Sequence, residues 1–334
     1  MKRITALFLA LTMTFLLCAC QTPASPVPTP EPTSPTETSE PYNVISYRSH
    51  GKRISLYSMP ESVMTVGPNC TEVFCALGLE DKVVGKCMTN HTHGTLKNFA
   101  DAWDSIPVVS IGYPTPDEIV SSGCDFVYAT EWLFDDTLTV EQLESRGIHV
   151  YVSSAFTYGE LWREIRDMGA IFHADEEAES FIESEKTRIE KVENTLLSVE
   201  AKPVLVLDSF LDDKVYTAGG NNIETQYLRS AGCRNVFSEL QKPWDAVSKE
   251  DIAALDPYFI VIHDYAGSGY DAKVKALSAD PVLGKLDCVK DGRFIRMPLE
   301  NVMPGARSAA AVEIIAYTVF YDVFHAASAE QKNA

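Results

Sequence analysis

The motifs that most often announce catalysis are missing from this chain. It has no GxSxG elbow, no phosphate-binding loop and no HExxH pair, so the usual signals of a serine hydrolase, a nucleotide hydrolase and a zinc peptidase are absent. None of its 8 cysteines forms a CxxC, which leaves a thioredoxin-type redox site or a zinc knuckle without a ligand framework. Basic residues are scarce: 28 Lys and Arg stand against 47 Asp and Glu, a formal net charge of −19, with no Lys/Arg cluster. Phosphate binding needs a basic stripe, so nucleic acid is excluded as a partner. The one long apolar run, Ile4 to Leu17, falls short of the ~20 residues of a membrane span.

That run has another use. Lys2 and Arg3 precede it and Leu17-Cys18-Ala19-Cys20 closes it, the layout of a secretory signal. The ending resembles the bacterial lipobox, in which the cysteine after the cleavage point takes a diacylglycerol. The likeness makes residues 1–20 a leader and Cys20 the lipidated first residue of the mature chain; a plain secreted protein is the alternative. Residues 21–43 follow, and Gln21 to Pro41 holds seven prolines among Ser, Thr and Glu. Such a segment cannot bury enough apolar surface to fold and reads as a disordered tether from a membrane. The six cysteines beyond the leader, Cys70, Cys75, Cys87, Cys124, Cys233 and Cys288, sit singly within strand and helix patterns. They are expected as core-packed thiols, a single bridge remaining open.

The remainder is organised around Asp175 to Val199, 25 residues without Gly or Pro, in which Ala178, Phe181, Ile182, Ile189, Val192, Leu196 and Leu197 recur at helical spacing. This predicts one long helix (interlobe segment 174–200) between an α/β lobe at 44–173 and another at 201–326, with a disordered tail at 327–334. Before it, a hairpin around Ser49 to Lys52 leads into alternating strands and helices; after it, strands at Pro203–Leu207, Lys214–Thr217, Phe259–Ile262 and Arg293–Met297 precede a closing helix at Ser308–Phe324. Alternation of this kind implies parallel sheets, with ligands beyond the carboxyl ends of the strands.

Each half also carries one copy of a short doublet. Thr115-Pro116-Asp117-Glu118-Ile119 leads after six residues to Phe126-Val127, and Ser248-Lys249-Glu250-Asp251-Ile252 leads after the same six to Phe259-Ile260. Thr115 and Ser248 are helix caps and Glu118 and Asp251 their reciprocal acids; Asp117 and Glu250 are not needed for capping. The stretch from Trp244 through Glu250 and Pro257 to Ile262 resembles a signature of the substrate-binding proteins of ABC importers for iron chelates, haem and vitamin B12. Further likeness lies in His50-Gly51 with Pro60 to Val66, Thr71-Glu72 with Ala76-Leu77-Gly78, Leu143 to Val150, Gly219-Gly220 through Asn235, and Asp291-Gly292-Arg293.

The resemblance covers Val44 to Phe324. It implies two Rossmann-like α/β lobes joined by one long helix, with a ligand cleft between them and no enzymatic activity. It also implies docking of Asp117 and Glu250 on a permease, although Asp117 stands where the family has glutamate. The expected partners are an ABC permease dimer with its ATPase, a small-molecule metal chelate and, through the lipid, the outer face of the cell membrane. The protein itself is expected as a monomer with no cofactor. The candidate ligand-binding residues are Asn69, His91, His93, Tyr113, Trp132, Phe156, Tyr158, Phe210, Asn222, Trp244, Tyr265 and Arg307. Their aromatic character suits a bulky organic chelate, a ferric siderophore first and haem or a corrinoid next, and Arg307 is the one base expected among them. His91-x-His93 raises two further readings: an axial ligand to a haem or cobalt centre, and a bare zinc or manganese site using both imidazoles. A surface adhesin without a small ligand is a third rival.

Overall fold

The computed structural model describes residues 42–325. The leader, Cys20, the tether up to residue 41 and the tail from residue 326 lie outside the described residues. Tyr42, expected in the tether, already packs: its hydroxyl donates to the Ile171 carbonyl at 3.3 Å and its ring stacks on His173.

The first half opens with the expected hairpin, β1 (Ile45–Ser49) and β2 (Lys52–Leu56). Its turn residues His50 and Gly51 both have positive φ, 39° and 80°, the turn geometry that matches strand twist. Then follow β3 (Val63–Val66), α1 (Pro68–Ala76), β4 (Val83–Cys87), α2 (Ala100–Ser105), β5 (Val108–Ser110), α3 (Pro116–Ser121), β6 (Phe126–Thr130), α4 (Val140–Glu144) and β7 (His149–Ser153). The strands form one parallel sheet in the order β5-β4-β3-β6-β7. β3 and β6 are buried along their whole length, because helices cover both faces of the sheet.

Two helices connect the halves. α5 (Tyr158–Phe172) was not anticipated from the pattern, which Gly159 and Gly169 interrupt. Gly169 is there for proximity: a Cβ at that position would lie 2.7 Å from the Ala178 Cβ of the next helix. That helix, α6 (Asp175–Leu196), is the predicted strut, three residues shorter than expected. It buries Ala178, Ile182, Ile189, Val192 and Leu196, whereas Phe181 is half-buried and Leu197 is 78% exposed and not part of the stripe.

The second half contains β8 (Lys202–Leu207), β9 (Ser209–Leu211), β10 (Lys214–Ala218), α7 (Ile223–Ser230), β11 (Cys233–Asn235), β12 (Trp244–Ser248) and α8 (Lys249–Leu255). It is completed by β13 (Phe259–Asp264), α9 (Tyr270–Ala279), α10 (Asp287–Lys290), β14 (Phe294–Pro298), α11 (Leu299–Val302) and α12 (Ser308–Val319). β11-β8-β13-β14 is the expected parallel sheet. An antiparallel sheet β12-β10-β9 stands beside it, which strand-helix alternation did not announce. Gly220 holds the loop after β10 in place: its amide donates to the Leu240 carbonyl at 2.7 Å, and a Cβ would lie 2.1 Å from the Ser238 carbonyl oxygen.

A buried polar seam ties the halves together. Arg307, ahead of α12, grips Glu72 of α1 with Nε at 2.6 Å and Nη2 at 2.5 Å, and also donates to Asn301 at 3.1 Å and the Gly94 carbonyl at 2.6 Å. Its side chain is 7% exposed. This corrects the sequence-based expectation of a cleft base: Arg307 is spent on a lock between lobes. Asn69, also expected at the ligand, belongs to the same seam, its amide donating to the Pro304 carbonyl at 2.7 Å. The six cysteines are buried and free.

Candidate functional site

The carboxyl ends of both parallel sheets meet around a cavity of about 260 Å³. From the first half, the loop after β4 contributes His91, the loop after β5 contributes Tyr113, the turn after β6 contributes Glu131 and Trp132, and the loop after β7 contributes Phe156. From the second half come Asp208 after β8, Tyr216 of β10, Trp244 of β12, His263 and Tyr265 at the end of β13, and Val302 and Met303 at and just after α11.

Backbone contacts aim the first group. Met88 takes a left-handed conformation, φ 60°, as the chain leaves β4. Its amide donates to the Gly112 carbonyl at 3.0 Å and the Asn90 amide to the Ile111 carbonyl at 3.0 Å. The loops after β4 and β5 are thereby stapled, with the His91 ring 6.1 Å from Tyr113 and 6.3 Å, across the cleft, from Tyr265. Burial pushes the His91 pKa down, with Glu300 opposing. That shift favours the neutral ring, and among the described residues its Nδ1 is buried without a hydrogen-bond partner. Tyr113 and Trp132 form the lip, 47% and 41% exposed.

The second group rests on a charged floor. Trp244 stacks on Tyr216 at 5.6 Å, a diagonal pair across β10 and β12, and turns its edge to His263. His263 is fully buried, with Nδ1 3.1 Å from Asp208 and Nε2 2.8 Å from Glu224. Burial alone would lower its pKa, but the Glu224 charge and the two carboxylate hydrogen bonds prevail and push it up to about 9. Both ring nitrogens then donate. Burial works against the Asp208 carboxylate, but the His263 hydrogen bond and charge, with Ser209 and Lys273, together outweigh it and hold the pKa below the usual range. The Tyr265 hydroxyl donates to the other Asp208 oxygen at 3.3 Å, and burial followed by the Asp208 charge pushes that phenol up to about 12.

Of the residues singled out from sequence, His91, Tyr113, Trp132, Phe156, Asn222, Trp244 and Tyr265 are brought to this cavity. Asn222 is committed to the fold as well, capping α7 through the Glu224 amide at 2.9 Å and donating to the Pro243 carbonyl at 3.0 Å. The others are placed elsewhere. His93 lies in the seam between the halves, its Nε2 3.2 Å from Asp264 and its amide donating to Glu300 at 2.7 Å. Tyr158 stacks on Trp162 and meets Ser230, and Phe210 packs on the core of the second half. Glu131, Asp208, Tyr216, Glu224 and His263 were not selected from the sequence. Position at or next to a strand carboxyl end was an available signal for Glu131, Asp208 and His263, but not for Tyr216 within β10 or Glu224 in α7.

The doublets do what capping chemistry requires. Thr115 accepts from the Glu118 amide at 3.2 Å while Glu118 accepts from the Thr115 amide at 2.7 Å, and Ser248 accepts from the Asp251 amide at 3.0 Å. Asp117 and Glu250 are left exposed. They follow the cavity residues Tyr113 and Trp244 within one short turn and one strand respectively.

Comparisons with known proteins agree with this geometry. Residues 63–300 match the profile of the family described as periplasmic binding protein. An uncharacterized ABC transporter substrate-binding lipoprotein of Bacillus subtilis is 25% identical over 277 residues, 81% of this chain and 83% of its own. A vitamin B12-binding protein of Photorhabdus laumondii is 23% identical over 226 residues, 67% of this chain and 76% of its own. The crystal structure of an ABC-type Fe3+-hydroxamate transport system from Saccharomonospora viridis superposes with a TM-score of 0.70 at 22% identity, over 82% of this chain and 98% of that one. At that identity the likeness speaks to fold alone.

Proposed function

The chain belongs to the periplasmic binding protein family, and from that premise we propose that it is the extracytoplasmic solute-binding component of an ABC importer, capturing a metal chelate and delivering it to a membrane permease. The observation that carries this reading is the cavity itself: aromatic side chains from both halves converge on one space at the strand carboxyl ends, the arrangement that suits a largely apolar organic ligand. A ferric siderophore is the first candidate and haem or a corrinoid the next; the names of the Fe3+-hydroxamate neighbour and the vitamin B12-binding relative support the siderophore and corrinoid ends of that range. The cavity is smaller than the roughly 300–1,000 Å³ of drug-sized ligand sites, so a chelate enters with the halves apart. His91, whose side chain lines the cavity, is the candidate axial ligand for a haem or cobalt centre. Asp117 and Glu250 present one carboxylate from each half to the permease, supplying orientation and on-rate, and a lipid on Cys20 holds the protein at the outer face of the membrane.

Two observations weigh against a bare zinc or manganese site. Among the described residues no group of three His, Cys, Asp or Glu side chains could hold a metal ion, and His93 is occupied by Asp264 and Glu300. Among the described residues no helix is long and apolar enough to cross a membrane. The reading is tested by titrating the purified protein with ferric siderophores, haemin and cobalamins while following tryptophan fluorescence, since Trp132 and Trp244 line the cavity. Saturable submicromolar quenching by at least one chelate is expected; binding to none contradicts it.

A further inference from the structure

The charges around the cavity are one-sided. Among the described residues Glu131, Asp208 and Glu224 line it and no Lys or Arg does. The nearby bases are engaged in other contacts: Arg307 grips Glu72, Arg296 holds Asp264 at 2.6 Å, and Lys273 donates to the His263 carbonyl at 2.6 Å from behind the Tyr265 ring. Protonated His263 offsets one carboxylate of the pair that flanks it, so the wall stays net negative.

Within this set Glu131 differs from the other two. Asp208 and Glu224 are both hydrogen-bonded to His263, whereas among the described residues nothing engages the Glu131 carboxylate, and burial alone raises its pKa. It shares the cavity wall with an aromatic pair: Tyr216 and Trp244 line the same space, and Trp244 stacks on Tyr216. An unpaired carboxylate sharing a half-closed space with aromatic rings is a receptor for an organic cation, by its charge and by the ring quadrupoles.

We propose that this cavity selects chelates of zero or positive net charge and that Glu131, with Tyr216 and Trp244, receives a protonated amine of the ligand. The inference rests on the chelate-binding reading above and narrows it. A polyanionic triscatecholate complex meets no free cation here, protonated His263 being held by Asp208 and Glu224, and is rejected, because an anion taken from water into such a wall has no countercharge of its own.

The test compares three probes at pH 8 by fluorescence titration: the ferric complex of desferrioxamine B, a linear trihydroxamate with one primary amine; the same complex with the amine acetylated; and a ferric triscatecholate. Wild-type protein is expected to bind the amine-bearing complex about tenfold more tightly than the acetylated one, and the triscatecholate not measurably. Glu131→Gln is expected to abolish the tenfold preference. Equal affinity for the amine and its acetylated form in wild type, which needs no variant, overturns the inference while leaving chelate binding in place. Preferential binding of the triscatecholate overturns it as well. Failure of all three, together with haemin and cobalamins, overturns the chelate reading and this one with it.

Discussion

Replacing Arg307 by methionine removes the guanidinium but keeps much of the stem, so the cost falls on the partners left behind. Glu72 is fully buried and loses contacts at 2.6 and 2.5 Å, keeping only the Thr95 hydroxyl at 2.8 Å and a long contact from the Leu96 amide. The Gly94 carbonyl and Asn301 each lose a donor. Breaking a buried pair from one side costs about 3–5 kcal/mol, because the surviving charge stays desolvated. For a folded unit of this size, with an unfolding entropy of ~0.6 kcal/mol per kelvin, a loss of about 4 kcal/mol lowers Tm by roughly 7 °C. Urea unfolding of wild type, Arg307→Met and the double variant Glu72→Gln/Arg307→Met provides the assay. The double variant is expected to regain at least half the loss, since both charges are gone. A single-variant loss under about 1 kcal/mol, or a double variant no better than the single, refutes the buried lock. Chelate affinity is expected to change far less than stability, because the guanidinium does not line the cavity.

Glu164 provides a test by pH. It is buried, accepts from Ser153 and the Ser154 amide at 2.9 Å each, and burial raises its pKa to about 7. An acid whose folded pKa exceeds its unfolded value, about 4.5, lowers stability as pH rises from 4.5 through 7. Glu164→Gln keeps the shape and abolishes that loss, so it is expected to be more stable than wild type by about 1–3 kcal/mol at pH 8, with no such gain near pH 4.5. A variant equally destabilised at both pH values contradicts the protonation argument. Alanine at Asp117 and Glu250 together is expected to leave folding and chelate affinity within about twofold of wild type, since both are exposed, while uptake in cells falls at least tenfold; unchanged uptake removes the docking assignment.

The parts of the fold that could be read in advance are those whose pattern is local. β3 and β6 coincide with short apolar runs, and both doublet helices begin at the hydroxyl caps that define them. α5 was illegible because Gly169 interrupts its pattern for the sake of α6. β12 was illegible because Trp244 to Ser248 alternates weakly and pairs with β10, more than two dozen residues upstream. At the site, Tyr113, Trp132, Phe156 and Tyr265 declared themselves by type and by place after a strand and line the cavity, whereas Tyr158 and Phe210, which carry the same signal, pack elsewhere, and Tyr216 was passed over. Arg307 did not declare its role, since only the fold shows that Glu72, 235 positions away, meets it first. His263 illustrates the same limit: its charge depends on Asp208 and Glu224, brought together from separate elements.

The central claim is that Trp244 and Tyr265 from one half close on a chelate against His91 and Phe156 from the other. It is tested most directly by titrating wild type and Trp244→Ala with the tightest-binding chelate of the panel, following the chelate's own absorbance. Submicromolar binding in wild type, weakened at least about thirtyfold in a variant of unchanged Tm, is the predicted result. Equal affinity in the two proteins would contradict it.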